Sequence, residues 1–177
     1  MKRPRTLQAR ASRVASDAKR DRGGMVAAEF SFIFLAILAV IIGLVEVTWQ
    51  STVAAALDRA TLRASRFGIT GQATRPNTPA DITCRSQTIR WLVANATGSI
   101  LTPERILVTT AAVDSPSDLN GTATPGDGTG GQVVTYNVTY TEPFLTGAWL
   151  NILGGPAQLV HHAAVVVKNE AFDNAVC

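Results

Sequence analysis

The chain has 177 residues, 46% of them hydrophobic and 16% charged, with a formal net charge of +3 and two cysteines. That length allows one soluble domain of about 100 residues beyond a membrane segment, enough to bury a small core. The positive charge does not indicate a nucleic-acid partner. The first 24 residues hold eight basic residues against two acidic ones, so the remainder is net negative, and the basic arm abuts a long apolar run rather than standing alone.

The leader, residues 1–24, carries Lys2, Arg3, Arg5, Arg10, Arg13, Lys19, Arg20 and Arg22 against Asp17 and Asp21. It lacks apolar periodicity and reads as disordered. From Met25 to Val45 only Glu29 and Ser31 are polar. A helix over those residues is about 30 Å long, the thickness of a bilayer's hydrocarbon core. A lipid-exposed segment must satisfy its backbone internally, so the reading is a single transmembrane helix. The basic leader places the N-terminus in the cytoplasm and everything after Val45 outside.

Glu29 stands near the start of this run. An ionised carboxylate in apolar surroundings is costly. Either it stays wet at the interface, or it meets a positive partner. Cleavage after Gly24 would free an α-amine at Met25, and in a bundle of such helices that amine can pair with Glu29 of a neighbour.

The pattern of basic leader, Gly24, four small or apolar residues, Glu29-Phe30 and an apolar helix resembles the processing site of type IV prepilins. Glu-Phe rather than Glu-Tyr is most similar to the TadE/TadF pseudopilins of the tight-adherence (Flp pilus) system. Gly43-Leu44-Val45-Glu46 resembles the end of the TadE helix, and Arg63-Ala64-Ser65-Arg66-Phe67-Gly68 resembles the Ala/Arg-rich segment that follows. The resemblance covers residues 22–70. It implies cleavage between Gly24 and Met25 by a membrane aspartic prepilin peptidase, and a part in pilus assembly with other pilin or pseudopilin subunits and the assembly machinery. The chain is then expected to be the peptidase's substrate and not an enzyme, with no cofactor.

Beyond Val45 the helix is expected to leave the membrane and continue. Val53, Leu57, Ala60, Ala64 and Phe67 recur at spacings of three and four, an apolar stripe that would pack on the following domain. Gly68, Gly71 and Pro76 end it. One helix over 27–67 results. The competing reading is a secretory signal peptide cut after Ala54-Ala55-Ala56, against which the apolar run is long and the site distant.

Residues 68–80 read as a loop. Asp81 is the expected N-cap of a second helix, with Ile82, Ile89, Leu92 and Val93 forming its apolar stripe up to Ala96. Pro103 to Asp114 reads as a strand and Ser115 to Gly131 as a long loop. Val133 to Thr141 alternates as a half-buried strand, with Glu142-Pro143 ending it. Phe144 to Leu153 is a short helix or a hairpin connection, and Leu159 to Glu170 a last strand in a meander.

The chemistry is sparse. His161 and His162 are adjacent on a strand and point to opposite faces, which disfavours one shared metal. Asp114, Asp118, Asn120 and Asp127 miss the EF-hand spacing. Gly126-Asp127-Gly128-Thr129-Gly130-Gly131 has neither lysine nor following helix, so it is not a phosphate loop. No Ser-His-Asp or Cys-His grouping stands out. Cys84 and Cys177 both fall on the outer side, where two thiols can pair. Free thiols and a bridge between subunits are the alternatives.

The expected fold is α+β and pilin-like: a 1–24 leader that is removed, a 25–67 helix packed on a small antiparallel sheet, and an extracytoplasmic domain over 68–177. The expected function is that of a minor pilin or pseudopilin in the bacterial cytoplasmic membrane, with no nucleic-acid partner. The alternative is a membrane-anchored extracytoplasmic binding module that keeps its leader.

Overall fold

The computed structural model describes residues 22–98, 100–119 and 121–172. Most of the leader therefore lies outside the described residues. The chain divides after Val45 into two compact units.

Helix α1 runs over Arg22–Gly68. Leu, Ala, Ile and Phe dominate its first half, and no proline interrupts it. It starts earlier than the expected helix, whose bounds are 25–67 or 27–67. Each glycine costs about 1 kcal/mol against alanine, but adding a turn to an existing helix needs no new nucleus, so Gly23 and Gly24 are carried along. From Gly24 to Val45 every residue is exposed. This stretch is long and apolar enough to cross a membrane. At Glu46 the pattern changes: Val53, Leu57, Ala60, Ala64 and Phe67 are buried, one stripe along the second unit's share of α1. The helix ends at Gly68, where a Cβ would stand 2.6 Å from the Tyr136 hydroxyl.

The second unit continues with α2 (Arg85–Ala96), β1 (Ile106–Val113), β2 (Thr124–Pro125), β3 (Val133–Pro143), α3 (Gly147–Ile152) and β4 (Gln158–Lys168). The sheet order is β2-β1-β3-β4, antiparallel throughout, with Val108 opposite Val138 and Tyr140 opposite His161. Strands β1, β3 and β4 form the expected meander. The two-residue strand β2, too short to show a period, pairs with Ala111 and Ala112 inside what reads as loop in the sequence.

Several boundaries differ from expectation: Pro103–Arg105 forms a 3-10 turn, so β1 starts at Ile106, and β4 runs over Gln158–Lys168 rather than 159–170. Helix α2 begins at Arg85, not after Asp81, and its N-cap is Cys84. The side chain of Gln87 reaches back to accept from the Cys84 and Thr83 N–H groups, at 3.3 and 3.1 Å, satisfying donors that a helix start leaves open. Ile82 thereby falls outside the helix, in a turn closed by its N–H on the Pro79 carbonyl. Strand β3 runs on through Glu142-Pro143, because Pro143 sits at the strand end and the next N–H, of Phe144, bonds Ala157 and prolongs the pairing. Residues 147–152 are helical, one of the two options for that segment.

One sheet face is inward. Val134, Tyr136, Val138 and Tyr140 of β3 pack with the α1 stripe, with Ile89 and Val93 of α2, and with Leu101, Ile106 and Ala163. The opposite face presents Leu107, Thr109, Asn137, His162, Ala164 and Val166 to solvent. The architecture is α+β: a long helix and a short one closing one side of a small antiparallel sheet.

Leu57 is wholly buried in that core. Leu57→Ala should lower unfolding free energy by about 2–5 kcal/mol, read by urea denaturation of the detergent-solubilised chain. An unchanged midpoint would mean that α1 does not close this core.

Candidate functional site

Gly24, Met25, Glu29 and Phe30 lie together near the start of α1, all exposed. A Cβ on Gly24 would meet nothing within 4 Å, so among the described residues no packing requires glycine there. Among the described residues Glu29 has neither a hydrogen-bond partner nor an ion-pair partner. Phe30 stacks on Phe34 one turn later, with ring centroids 6.1 Å apart. The Ser31 hydroxyl returns to the Ala27 carbonyl at 2.7 Å. The one acid of the apolar stretch is thus its unsatisfied polar group.

Where the apolar run stops, the side chains change character. Glu46, the first residue after it, is buried. One carboxylate oxygen accepts from the Thr146 N–H at 3.1 Å and the Thr146 hydroxyl at 3.4 Å; the other accepts from Gln50 Nε2 at 3.0 Å. Gln50 Oε1 then faces His161 Nε2 at 2.8 Å. Because the Gln50 amide nitrogen is committed to Glu46, its oxygen is the acceptor, and His161 Nε2 carries the proton. Burial holds the His161 pKa below its ordinary value, opposed by the Glu142 charge and assisted by His162. Glu142 accepts from Trp49 Nε1 at 2.9 Å, from the Tyr140 hydroxyl at 2.9 Å and from Arg105 at 3.2 Å. These two carboxylates fasten α1 to the far end of the β3–β4 hairpin.

A second polar group lies deep in the domain. Arg85 is wholly buried. Its Nη1 donates to the Asp127 main-chain carbonyl at 2.9 Å and the Gly68 carbonyl at 3.3 Å. Its guanidinium lies 4.8 Å from the centre of the Phe172 ring, a cation–π contact strengthened by desolvation. Asn169 donates to the Asp127 and Thr129 carbonyls. The Asp127 carboxylate accepts from the Ser86 N–H at 2.8 Å, so an acid from the 115–131 loop caps α2, where the helix dipole favours negative charge. Burial raises the Asp127 pKa; Thr110, the Ser86 N–H and Arg85 oppose it. The hydroxyl of Tyr136 is pushed up to about 12 by burial and by Asp127. Among the described residues no hydrogen bond of full geometry reaches Arg85 Nε and Nη2, Asp127 Oδ1 or the Tyr136 hydroxyl. Sequence reasoning missed Arg85. A cation in the first turn opposes the helix dipole, and that mismatch was the available signal.

The remaining candidates disperse. His161 is buried and His162 exposed, on opposite faces as expected. Asp114 accepts from Gln132 at 2.6 Å, Asp118 sits in a 3-10 turn, and Asp127 caps α2, so these acids do not converge. Among the described residues no three metal-ligating side chains come together. Asn120 and Cys177 lie outside the described residues. Cys84 is disulfide-bonded. An open groove of about 390 Å³ is lined by Arg63, Arg75, Asn77, Trp91 and Asn95, among others. No protein-family model, curated protein or solved structure matches this chain.

Removing Arg85 leaves two carbonyls and the Asp127 carboxylate buried without their cation. Arg85→Ala should cost about 3–5 kcal/mol, and Arg85→Lys should recover little of it, since an ammonium cannot span two carbonyls while lying flat on a ring. Urea denaturation of both variants checks this; full rescue by lysine would show that charge alone matters.

Burial lowers the His161 pKa in the fold, so as pH falls past its ordinary value of 6.5 the unfolded chain binds the proton more readily. Stability should therefore fall as pH drops through about 6.5 and level off below the depressed folded value. His161→Gln should remove that component. Melting temperatures of both chains between about pH 7.5 and about pH 5, roughly the window of a histidine titration, would contradict it if their difference stayed constant.

Proposed function

We propose that this chain is a minor pilin or pseudopilin of a tight-adherence pilus. A prepilin peptidase cuts it between Gly24 and Met25. The first part of α1 anchors it in the cytoplasmic membrane, with the leader inside and the sheet domain outside. It is a peptidase substrate and an assembly subunit, with no reaction of its own.

One observation carries this reading. The stretch 24–45 is exposed and apolar all round, and it carries a glycine and an acid that nothing else in the described chain uses. A glycine without a packing role suits a protease that must admit extended backbone. An acid without an internal partner suits a cation supplied by another molecule, and the α-amine freed at Met25 of a neighbouring subunit is such a cation. A buried pair of this kind fixes register between packed helices more than it adds stability.

The signal-peptide reading fares worse. A cut after Ala56 would remove Val53 from the core, and with it Glu46, Trp49 and Gln50, the partners of Thr146, Glu142 and His161. The anchored binding module keeps one observation in its favour, the groove with Arg63, Arg75 and Trp91. The two readings differ at the N-terminus of the mature protein.

Intact mass of the membrane-extracted chain should correspond to a start at Met25. Gly24→Leu should stay uncut yet fold normally, since a side chain there enters open space. Trimming of Gly24→Leu to Met25 would misplace the site, and a wild-type chain that retains its leader would favour the binding module.

A further inference from the structure

The β3–β4 connection bears an apolar face that the domain does not use. Trp149, Ile152 and Leu153 are 74%, 77% and 83% exposed, and Leu145 is 62% exposed. Their spacings of three and four place them along one side of α3. The other side is held to the domain: Gly147 lies so close that a Cβ would stand 2.7 Å from the Ala157 carbonyl just before β4, and Thr146 before it bonds Glu46. Between Glu142 and Lys168 no Asp, Glu, Lys or Arg occurs.

The position of this face identifies what covers it. Thr146, directly before α3, donates both its N–H and its hydroxyl to Glu46. Glu46 directly follows Val45, the last residue of the apolar run. A bilayer whose hydrocarbon ends near Val45 has its headgroup layer at the depth of Glu46 and hence of α3. The acids at this end do not repel that layer, since Glu46 and Glu142 are buried and hydrogen-bonded within the domain. A tryptophan on an uncharged apolar face at this depth has the composition of an interfacial anchor.

We infer that α3 is a second membrane contact, lying in the outer headgroup layer with Trp149, Ile152 and Leu153 inserted, so that the domain is held at the surface by α3 as well as by α1. This inference rests on the span assigned to α1 in the proposed function.

The test uses the full chain in phosphatidylcholine vesicles carrying bromine on the acyl chain near the headgroup. Flotation of the vesicles first reports whether the chain is membrane-held. Lipid quenching of tryptophan fluorescence is then compared for wild type and Trp149→Phe, a change that leaves Trp49 and Trp91 in place. Wild type should be quenched, and Trp149→Phe should lose most of the quenching. Flotation with equal quenching in both would overturn the α3 contact and leave the span standing. Flotation with Trp149 unquenched but shielded only at high protein-to-lipid ratio would assign the face to a second copy, which also overturns it. A chain that fails to float removes the span and this inference with it.

Discussion

A four-stranded antiparallel sheet needs cover for one face, and here the cover is the stripe Val53, Leu57, Ala60, Ala64 and Phe67 of α1. The sheet contributes Val134, Tyr136, Val138 and Tyr140 against it. Neither surface could stay folded alone: the stripe would be an exposed amphipathic helix, and the strands would present an uncovered apolar face. The remaining features sit around this contact. Helix α2 widens the cover through Ile89 and Val93, and the polar bonds of Glu46, Trp49 and Gln50 fix where along the sheet the helix lies. Hydrophobic burial sets that the two surfaces meet, and directional hydrogen bonds set the register at which they meet.

The buried arginine shows a different balance. Arg85 reaches two carbonyls and a ring, but among the described residues its Nε and Nη2 have no hydrogen bond of full geometry. Desolvating a cation so incompletely paired is costly. What it achieves is order in segments with little apolar content. The 126–131 stretch has five glycines and threonines among six residues, too little side chain to hold itself by packing. Its shape is set by Arg85 on the Asp127 carbonyl, by Asn169 on the Asp127 and Thr129 carbonyls, and by the Asp127 carboxylate on the first turn of α2. A polar knot does here what a larger domain would do with apolar contacts.

The parts legible in the sequence were those written as periodic apolar patterns. The stripe of α1 and the alternation of β3 each repeat over many residues, and both appear where the spacing put them. The start of α2 was misplaced because Asp81 has the chemistry of an N-cap, whereas Gln87 closes the donors from inside the helix; both signals are local, and only packing chooses between them. Strand β2 was invisible because two residues have no period. Of the polar features, the isolation of Glu29 could be read directly, since a single acid in an apolar run needs no tertiary knowledge. Arg85 showed only as a cation in a first turn, and the links from Glu46 to Thr146 and from Gln50 to His161 left no sign, because those partners lie far along the sequence.

Phe172 has a consequence for the order in which the chain takes shape during synthesis. Its ring covers Arg85, and its backbone crosses Gly130 so closely that a Cβ there would collide with the Phe172 nitrogen. Glu170 just before it bonds Ile69 and Gly131. Arg85 leaves the ribosome long before any of these residues. Until β4 and the segment after it have emerged, the cation has neither its ring nor the loop that Asn169 holds in place. The domain therefore closes late, and a chain interrupted before Asn169 carries a charged, open core that distinguishes it from a finished one.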